Sequence, residues 1–464
     1  MKIKITILLM CFMGCMHMGF AQKDMECKTK LSIFHEYVKS KNYDRAYEPW
    51  LFVWNHCPEL SMAIYIDGEK LLKNKIKKTK GTEQKKFIED LLKLWEDRET
   101  YFPDQTADGE YISKAYQLRY NYKELFQISQ EALYEGFDKA FQTDKKTFTN
   151  PKSLYTYFSL IVDLQDEGKK TLKEVFDKYD DVNEKIENEV KNYSLKLNKL
   201  IEKEDQGTPL TKKEIQRKAS YESYLKNYSL ISDNITKLLD KKADCTNLIP
   251  LYTRDFEIHK TDAVWLKRAV SRLYHKKCTE AALYEKLVKA YDEVAPSADT
   301  KIYVVTVLIK NGKTEEVNKY LAEAYELETD TFKKSRLAYR IGLILKQKKN
   351  YSQARNYFRK ALKLNPSNGR PHLAIAAMYA ASANNCGDDT FNKRAVYWLA
   401  AKEARKASRV DPTIKRDADK YVKRYEALAP SKQMIFICEC SGKEIKIPCW
   451  IRESVIVPKI EKAS

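Results

Sequence analysis

Residues 335–368 read SRLAYRIGLILKQKKNYSQARNYFRKALKLNPSN, and this stretch decides the fold. Two antiparallel helices can lie close together only where the side chains between them are small. Counted from the first residue of the stretch, positions 8, 20 and 27 are Gly342, Ala354 and Ala361. Pro366 at position 32 ends the second helix, because proline has no amide hydrogen to donate to the preceding turn. The spacing therefore predicts one helical hairpin.

The larger residues of this stretch follow the same register. Leu345, Tyr351 and Phe358 fall at positions 11, 17 and 24, and the pattern resembles the tetratricopeptide repeat, which occurs in tandem. Weaker units of the same kind begin at Cys27, Ser61, Ala298 and Gly369. The resemblance implies an all-α chain, a TPR-like α-solenoid, that binds other proteins and catalyses no reaction.

Four short runs extend the resemblance over most of the chain. They are ADCTNLIPLY at 243–252, NNCG at 384–387, KRAVYW at 393–398 and CWIRE at 449–453. These runs are similar to exported tetratricopeptide proteins of the Bacteroidetes. That group implies no activity and no cofactor that could be carried over to residues of this chain.

The middle of the chain has a different pattern. Between residues 166 and 242 charged side chains are dense, and apolar residues recur at intervals of three and four, at Val175, Tyr179, Val182, Ile186, Val190, Tyr193, Leu197 and Leu200. This is the spacing of a two-stranded helical seam. Thr211 and Glu214 form a capping box that starts a second helix. We predict a coiled-coil-like antiparallel hairpin that projects by about 50 Å; disorder is the alternative for so polar a segment.

The apolar period changes from 3.6 to 2 after Pro430. Ile435 and Ile437 alternate with other residues before Ser441-Gly442, and Ile445 and Ile447 do so after it, which predicts a β-hairpin. The predicted organisation is a signal peptide (1–21), N-terminal TPR-like repeats (22–165), a long helical hairpin (166–242), C-terminal repeats with a capping helix (243–430) and a small β appendage with a tail (431–464).

Residues 1–21 have the layout of a secretory signal peptide. Two lysines precede a short apolar run, and a small residue, Ala21, ends the segment. The run is too short to span a bilayer, and no later segment is long enough, so we expect no transmembrane helix. We therefore expect export to the periplasm or cell envelope. Lipid attachment at Cys15 is an alternative, although the residues before Cys15 depart from the usual pattern.

The chain is basic, with 84 lysines and arginines against 65 acidic residues and a net charge of +19. Such a balance can indicate an anionic partner. The lysines are interspersed with acidic residues along nearly every predicted helix, and no arginine-rich block with interleaved aromatic residues is present. We therefore predict solvated helix faces, a protein partner and no nucleic acid. Binding to an anionic envelope polymer is the alternative function.

Eight cysteines follow the predicted leader, and an even number in an exported chain indicates disulfides. The predicted pairs are Cys27 with Cys57, Cys245 with Cys278, and Cys386 with Cys449. Cys438 and Cys440 stand two apart on a predicted strand, so we expect no bond between them. With Cys449 they could supply three thiolates to Zn²⁺, but the spacing does not match the common motifs and no histidine is near. No metal is predicted.

The sequence contains no motif of a known catalytic site. No histidine belongs to an HExxH motif, and neither a P-loop nor a GxGxxG fingerprint is present, so we predict no enzyme and no cofactor. Tetratricopeptide grooves that hold a terminal carboxylate use lysine and asparagine on successive first helices. The matching positions give a candidate groove of Arg336, Tyr339, Arg340 and Arg370. Since the asparagine is missing, we do not expect a carboxylate clamp, and arginines without a binding role are the alternative.

Overall fold

The computed structural model describes residues 24–240, 242–313 and 315–460. The predicted signal peptide and the last four residues of the tail lie outside this range. Two compact units can be distinguished, one ending at Lys178 and one beginning at Tyr179. The described residues are mostly helical, with one short pair of strands, which confirms the predicted all-α fold.

The first unit consists of helices joined by short turns. They are α1 (24–39), α2 (Tyr43–His56), α3 (Ala63–Lys78), α4 (Gly81–Tyr101), α5 (Asp108–Asn121), α6 (Lys123–Phe126), α7 (Gln130–Thr143), α8 (Pro151–Asp166) and the start of α9 (Leu172–Asp205). Its core is built around Trp50, whose ring packs against Gly68 and whose indole donates to the Ile64 carbonyl at 3.0 Å. A side chain at Gly68 would collide with this ring, so the glycine allows α2 and α3 to pack closely.

The second unit contains the rest of α9 and all later elements. These are α10 (Lys212–Asp240), α11 (Cys245–His259), α12 (Ala263–His275), α13 (Ala282–Val294), α14 (Ala298–Lys310), α15 (Val317–Leu327), α16 (Thr331–Gln347), α17 (Tyr351–Leu364), α18 (Arg370–Ser382), α19 (Thr390–Val410), α20 (Lys415–Leu428), α21 (Lys432–Ile437), β1 (Glu444–Ile447) and β2 (Glu453–Ile456). Helices α12 to α19 form four consecutive hairpins. We call α12, α14, α16 and α18 their first helices.

The hairpin of α16 and α17 has the predicted small-residue contact. Ala354, Phe358 and Ala361 are fully buried. A Cβ on Gly342 would lie 2.5 Å from Cε1 of the Phe358 ring. Because no real side chain tolerates such a distance, the glycine is what lets α16 approach the aromatic ring of α17.

Helices α9 and α10 form an antiparallel pair at the predicted seam. The Tyr193 ring stacks on Tyr224 with 4.6 Å between centroids. The connecting turn contains Gly207 at a φ of +78°, a conformation that suits glycine. At the start of α10 the predicted capping box is present, since the Thr211 amide donates to Glu214 Oε2 at 2.8 Å and the Glu214 amide donates to Thr211 Oγ1 at 3.3 Å.

The end of the chain differs from the predicted β-hairpin. Ile435 and Ile437 belong to the short helix α21, in which the Met434 amide donates to the Ser431 side chain at 3.3 Å. Strand β1 pairs instead with β2 in antiparallel register, Glu444 opposite Ile456. The alternation around Ile435 was therefore misleading, because a serine cap four residues before Ile435 starts a helical turn there.

Candidate functional site

Three of the predicted groove residues lie on α16 and the fourth begins α18. Arg336 Nη2 pairs with Glu187 Oε1 of α9 at 3.1 Å, and Arg340 Nη1 lies 3.5 Å from Asp299 Oδ1. The Tyr339 ring packs against Phe358, and burial raises the pKa of the Tyr339 hydroxyl. The structure therefore gives both Arg336 and Arg340 acidic partners within the same chain.

That partner belongs to a row of polar residues on α9, which we call the polar stripe. It consists of Asp180, Glu187, Lys191, Asn198 and Asp205, spaced by seven, four, seven and seven residues along one helix face. Each member contacts the C-terminal repeats. The contacts are Asp180 to Arg272, Glu187 to Arg336, Lys191 to Asp330, Asn198 to the Ser367 amide and Asp205 to Arg409.

The prediction that the long hairpin projects away from the repeats is therefore wrong for α9. The apolar seam packs on α10, while the polar stripe faces α12, α16 and the turn between α17 and α18. Asn198 Oδ1 accepts a hydrogen bond from the Ser367 amide at 2.9 Å, and both residues are buried. A helix with two occupied faces cannot extend into solvent, so α9 covers the face that carries Arg336.

Where α9 meets α12, the positive charge of Arg272 is balanced by the negative charge of Asp180. Arg272 is buried, and although burial disfavours its charge, Tyr252 and Asp180 hold the pKa of its guanidinium above the ordinary value. His275 is the last residue of α12. Desolvation and the nearby Arg340 and Arg336 hold the pKa of His275 below its usual range.

A second polar site, not expected from the sequence, lies among α17, α18, α19 and β2. It is a cavity of about 380 Å³ whose polar lining consists of Arg359, His372, Tyr379, Lys402, Glu403, Lys406 and Glu453. Glu403 Oε2 is 2.5 Å from His372 Nδ1, and Glu403 Oε1 accepts from Lys406 Nζ at 2.7 Å. Despite burial, which opposes ionisation, these two partners lower the pKa of Glu403 to about 2.

Most polar side chains in this cavity are ionisable. Its lining contains no serine, threonine or cysteine that could act as a nucleophile. His372 and Glu403 are far apart in sequence and belong to different helices, so no local motif indicated the pair.

Across the described ranges, no group of three or more His, Cys, Asp or Glu side chains is arranged to hold a metal ion. Within the same ranges, no helix has the length and apolar character needed to cross a membrane.

All eight cysteines after residue 21 are described, and the structure joins them in pairs. Three disulfides link Cys27 to Cys57, Cys245 to Cys278 and Cys386 to Cys449. The fourth links Cys438 to Cys440, although the sequence led us to expect no bond between them. The expectation assumed an extended strand. The chain here leaves α21 through a turn in which Glu439 has a φ of +52°, and the turn brings Cys438 and Cys440 close enough to bond, with 5.2 Å between their Cα atoms.

Residues 335–368 match the tetratricopeptide repeat family, with the bounds that the spacing predicts. No curated protein matches the chain. Among solved structures it is similar to yeast Tom70, at 11% identity over 88% of this chain and 96% of that chain with a TM-score of 0.25. It is also similar to the human IFIT1 dimer with PPP-AAAA, at 12% identity over 88% and 94% with a TM-score of 0.28. It is similar as well to the APC/C hetero-tetramer Cut9–Hcn1, at 11% identity over 85% of this chain and 95% of that chain with a TM-score of 0.27. Residues 335–368 are thus similar to a tetratricopeptide repeat, set in a run of helical hairpins.

Proposed function

We propose that this protein is a non-enzymatic exported scaffold of the periplasm or cell envelope that binds a protein partner. The observation that carries the proposal is the repeat at residues 335–368 within a run of hairpins, because such arrays display extended surfaces for other proteins. Export is supported by the leader-like sequence of residues 1–21 and by the even number of cysteines that follow.

We assign the partner to the outward face of α10 rather than to the groove. The groove residue Arg336 is engaged by the polar stripe of α9, as described above. On α10, Ile215, Ala219, Ser223 and Leu230 share one face by their spacing of four, four and seven residues. Ile215 and Leu230 are more than half exposed. Exposed apolar side chains of this kind, in a row, are typical of a surface that another helix covers.

The centre of this face is also shallowly concave. A depression of about 480 Å³ is lined by Ala219, Ser220, Ser223, Tyr224 and Asn227. Small side chains in the middle, flanked by larger apolar ones, allow a partner helix to approach closely. We therefore expect a helical segment with an apolar face as the bound element.

The test begins with crosslinking of the full mature chain in an envelope extract, followed by purification of the captured protein. Its affinity is then measured by calorimetry for wild type, Leu230→Asp and Leu327→Asp. Leu327 is a matched control because it is a similarly exposed leucine on another helix, α15. We expect Leu230→Asp to weaken binding at least tenfold and Leu327→Asp to leave it unchanged.

Two results would contradict the proposal. If Leu230→Asp and Leu327→Asp bound the captured protein with equal affinity, the α10 face would not be the docking surface. Retention of an anionic polymer without any protein, falling steeply between low and moderate salt, would favour the polymer-binding alternative instead.

A further inference from the structure

One of the four disulfides differs from the others in the size of the ring that it closes. Cys438 and Cys440 are two residues apart, while the other pairs are separated by 30, 33 and 63 residues. The stabilisation that a crosslink gives by restricting the unfolded chain grows with the loop it closes, so this bond contributes little to stability. The only residue between the sulfurs, Glu439, is held at a positive φ, which residues with a side chain rarely adopt.

The two cysteines of this disulfide are not equally exposed. Cys438 is exposed, and it is alone in this among the eight cysteines that the structure describes. Cys440 is buried against Ile435 and Val457. Thiol–disulfide exchange requires a thiolate to reach one sulfur directly. An incoming thiolate can therefore attack Cys438, while Cys440 is protected and serves as the leaving group.

Exposed apolar residues adjoin the two cysteines of this disulfide in the sequence or next to residues that pack on them. Phe436 and Ile437 directly precede Cys438, and each is 71% exposed. Ile456 on β2 is 70% exposed and adjoins Val457, which packs on Cys440. Large apolar side chains that are this exposed mark an interaction surface. A peptide segment with apolar residues beside its cysteines fits this surface.

We propose that the Cys438–Cys440 disulfide is an exchange site that oxidises two thiols in an apolar peptide segment of another protein. One peptide thiolate attacks Cys438 Sγ, the bond to Cys440 breaks, and Cys440 leaves as a thiolate that takes up a proton. The second peptide thiolate then attacks the peptide sulfur of the mixed disulfide, and Cys438 leaves and is protonated. The peptide gains a disulfide, and this chain becomes the dithiol. The transfer is stoichiometric and independent of partner binding at α10.

The first experiment measures how readily each disulfide is reduced in the full mature chain. The oxidised protein is titrated with dithiothreitol, free thiols are alkylated, and each cysteine is assigned by mass spectrometry. We expect the Cys438–Cys440 pair to open at a dithiothreitol concentration at least tenfold below that needed for Cys386–Cys449, with the helical circular dichroism unchanged. Reduction of both pairs at the same concentration would overturn the proposal.

The second experiment tests the direction of attack and the transfer itself. In Cys440→Ser the exposed Cys438 is expected to form a mixed disulfide with oxidised glutathione at least tenfold faster than the buried Cys440 does in Cys438→Ser. The wild-type chain should transfer one disulfide per molecule to a reduced two-cysteine peptide with flanking phenylalanines. The proposal would be refuted if the two serine variants formed the mixed disulfide at equal rates. It would also be refuted if the wild-type chain transferred no disulfide to the peptide.

The contribution of the apolar surface is tested with a matched pair of isoleucines. Ile437→Ser should slow transfer to the phenylalanine-flanked peptide severalfold. Ile258→Ser removes an equally exposed isoleucine on α11 and should have no effect. If both substitutions change the transfer rate equally, the peptide does not dock beside Cys438.

Discussion

Replacing Asn198 by alanine tests whether α9 is held against the C-terminal repeats. In the wild type, Asn198 Oδ1 accepts from the buried Ser367 amide at 2.9 Å. The substitution leaves this amide without an acceptor, which destabilises the contact by about 1–3 kcal/mol. Alanine has the higher helix propensity, and this offsets roughly 0.5 kcal/mol of the loss. Asn192→Ala gives the same propensity gain at an exposed position of α9, so the difference between the two variants isolates the contact.

Hydrogen exchange followed by mass spectrometry is the suitable assay, because it reports on the peptide that contains Ser367 rather than on the whole chain. A net loss of about 2 kcal/mol in the opening free energy corresponds to roughly 30-fold faster exchange. We expect this acceleration in Asn198→Ala and not in Asn192→Ala. Equal exchange in both variants would refute the conclusion that α9 occupies the groove of the first helices.

Three further substitutions test other contacts. Glu403→Gln should lower the free energy of unfolding by roughly 3 kcal/mol at pH 7, since the pKa of Glu403 is about 2 against an ordinary 4.5. This contribution exists above about pH 4.5 and disappears as the pH falls toward 2, so urea unfolding at pH 3 should show a smaller difference. Gly342→Leu should lower the stability of the repeats by about 1–3 kcal/mol through collision with Phe358, seen in thermal unfolding as a lower midpoint. Arg355→Ala removes a hydrogen bond to the Ile451 carbonyl, worth about 1.5–3 kcal/mol, and should make the strand region sensitive to limited proteolysis while the helices resist.

The hairpin of α16 and α17 was predictable because its determinants are local. Gly342 and Phe358 are close in sequence, and their contact requires only that two successive helices pack side by side. Small residues at a fixed spacing are therefore sufficient evidence for such a unit. The same reasoning explains why the capping box at Thr211 could be predicted, since the two residues that form it are three apart.

The docking of α9 could not be predicted from its own periodicity. The apolar seam indicated a partner helix, but the polar stripe had the composition of a solvated face. Its partners, among them Arg272 and Arg409, lie much later in the chain, and no spacing rule connects them to Asp180 and Asp205. The cavity around His372 and Glu403 was missed for the same reason, because its pairs join different helices.

The errors at the end of the chain have a common cause. Reading Ile435 and Ile437 as a strand placed Cys438 and Cys440 in extended backbone, where their sulfurs would not meet. The structure instead has a helix capped by Ser431 and then a turn at Glu439. A single misassigned element thus changed both the strand pairing and the expected cysteine chemistry.

The anchoring of α9 at both ends also has a mechanical consequence. Each hairpin in a stacked array contacts only its neighbours, so the array can be stretched elastically by small changes between successive hairpins. Between Asp180 and Asp205, α9 is a rod of about 38 Å at 1.5 Å per residue, fastened to Arg272 at one end and Arg409 at the other. A rod pinned in this way resists elongation. The C-terminal hairpins are therefore braced, and force–extension curves should give a spring constant that decreases when these two end pairs are removed.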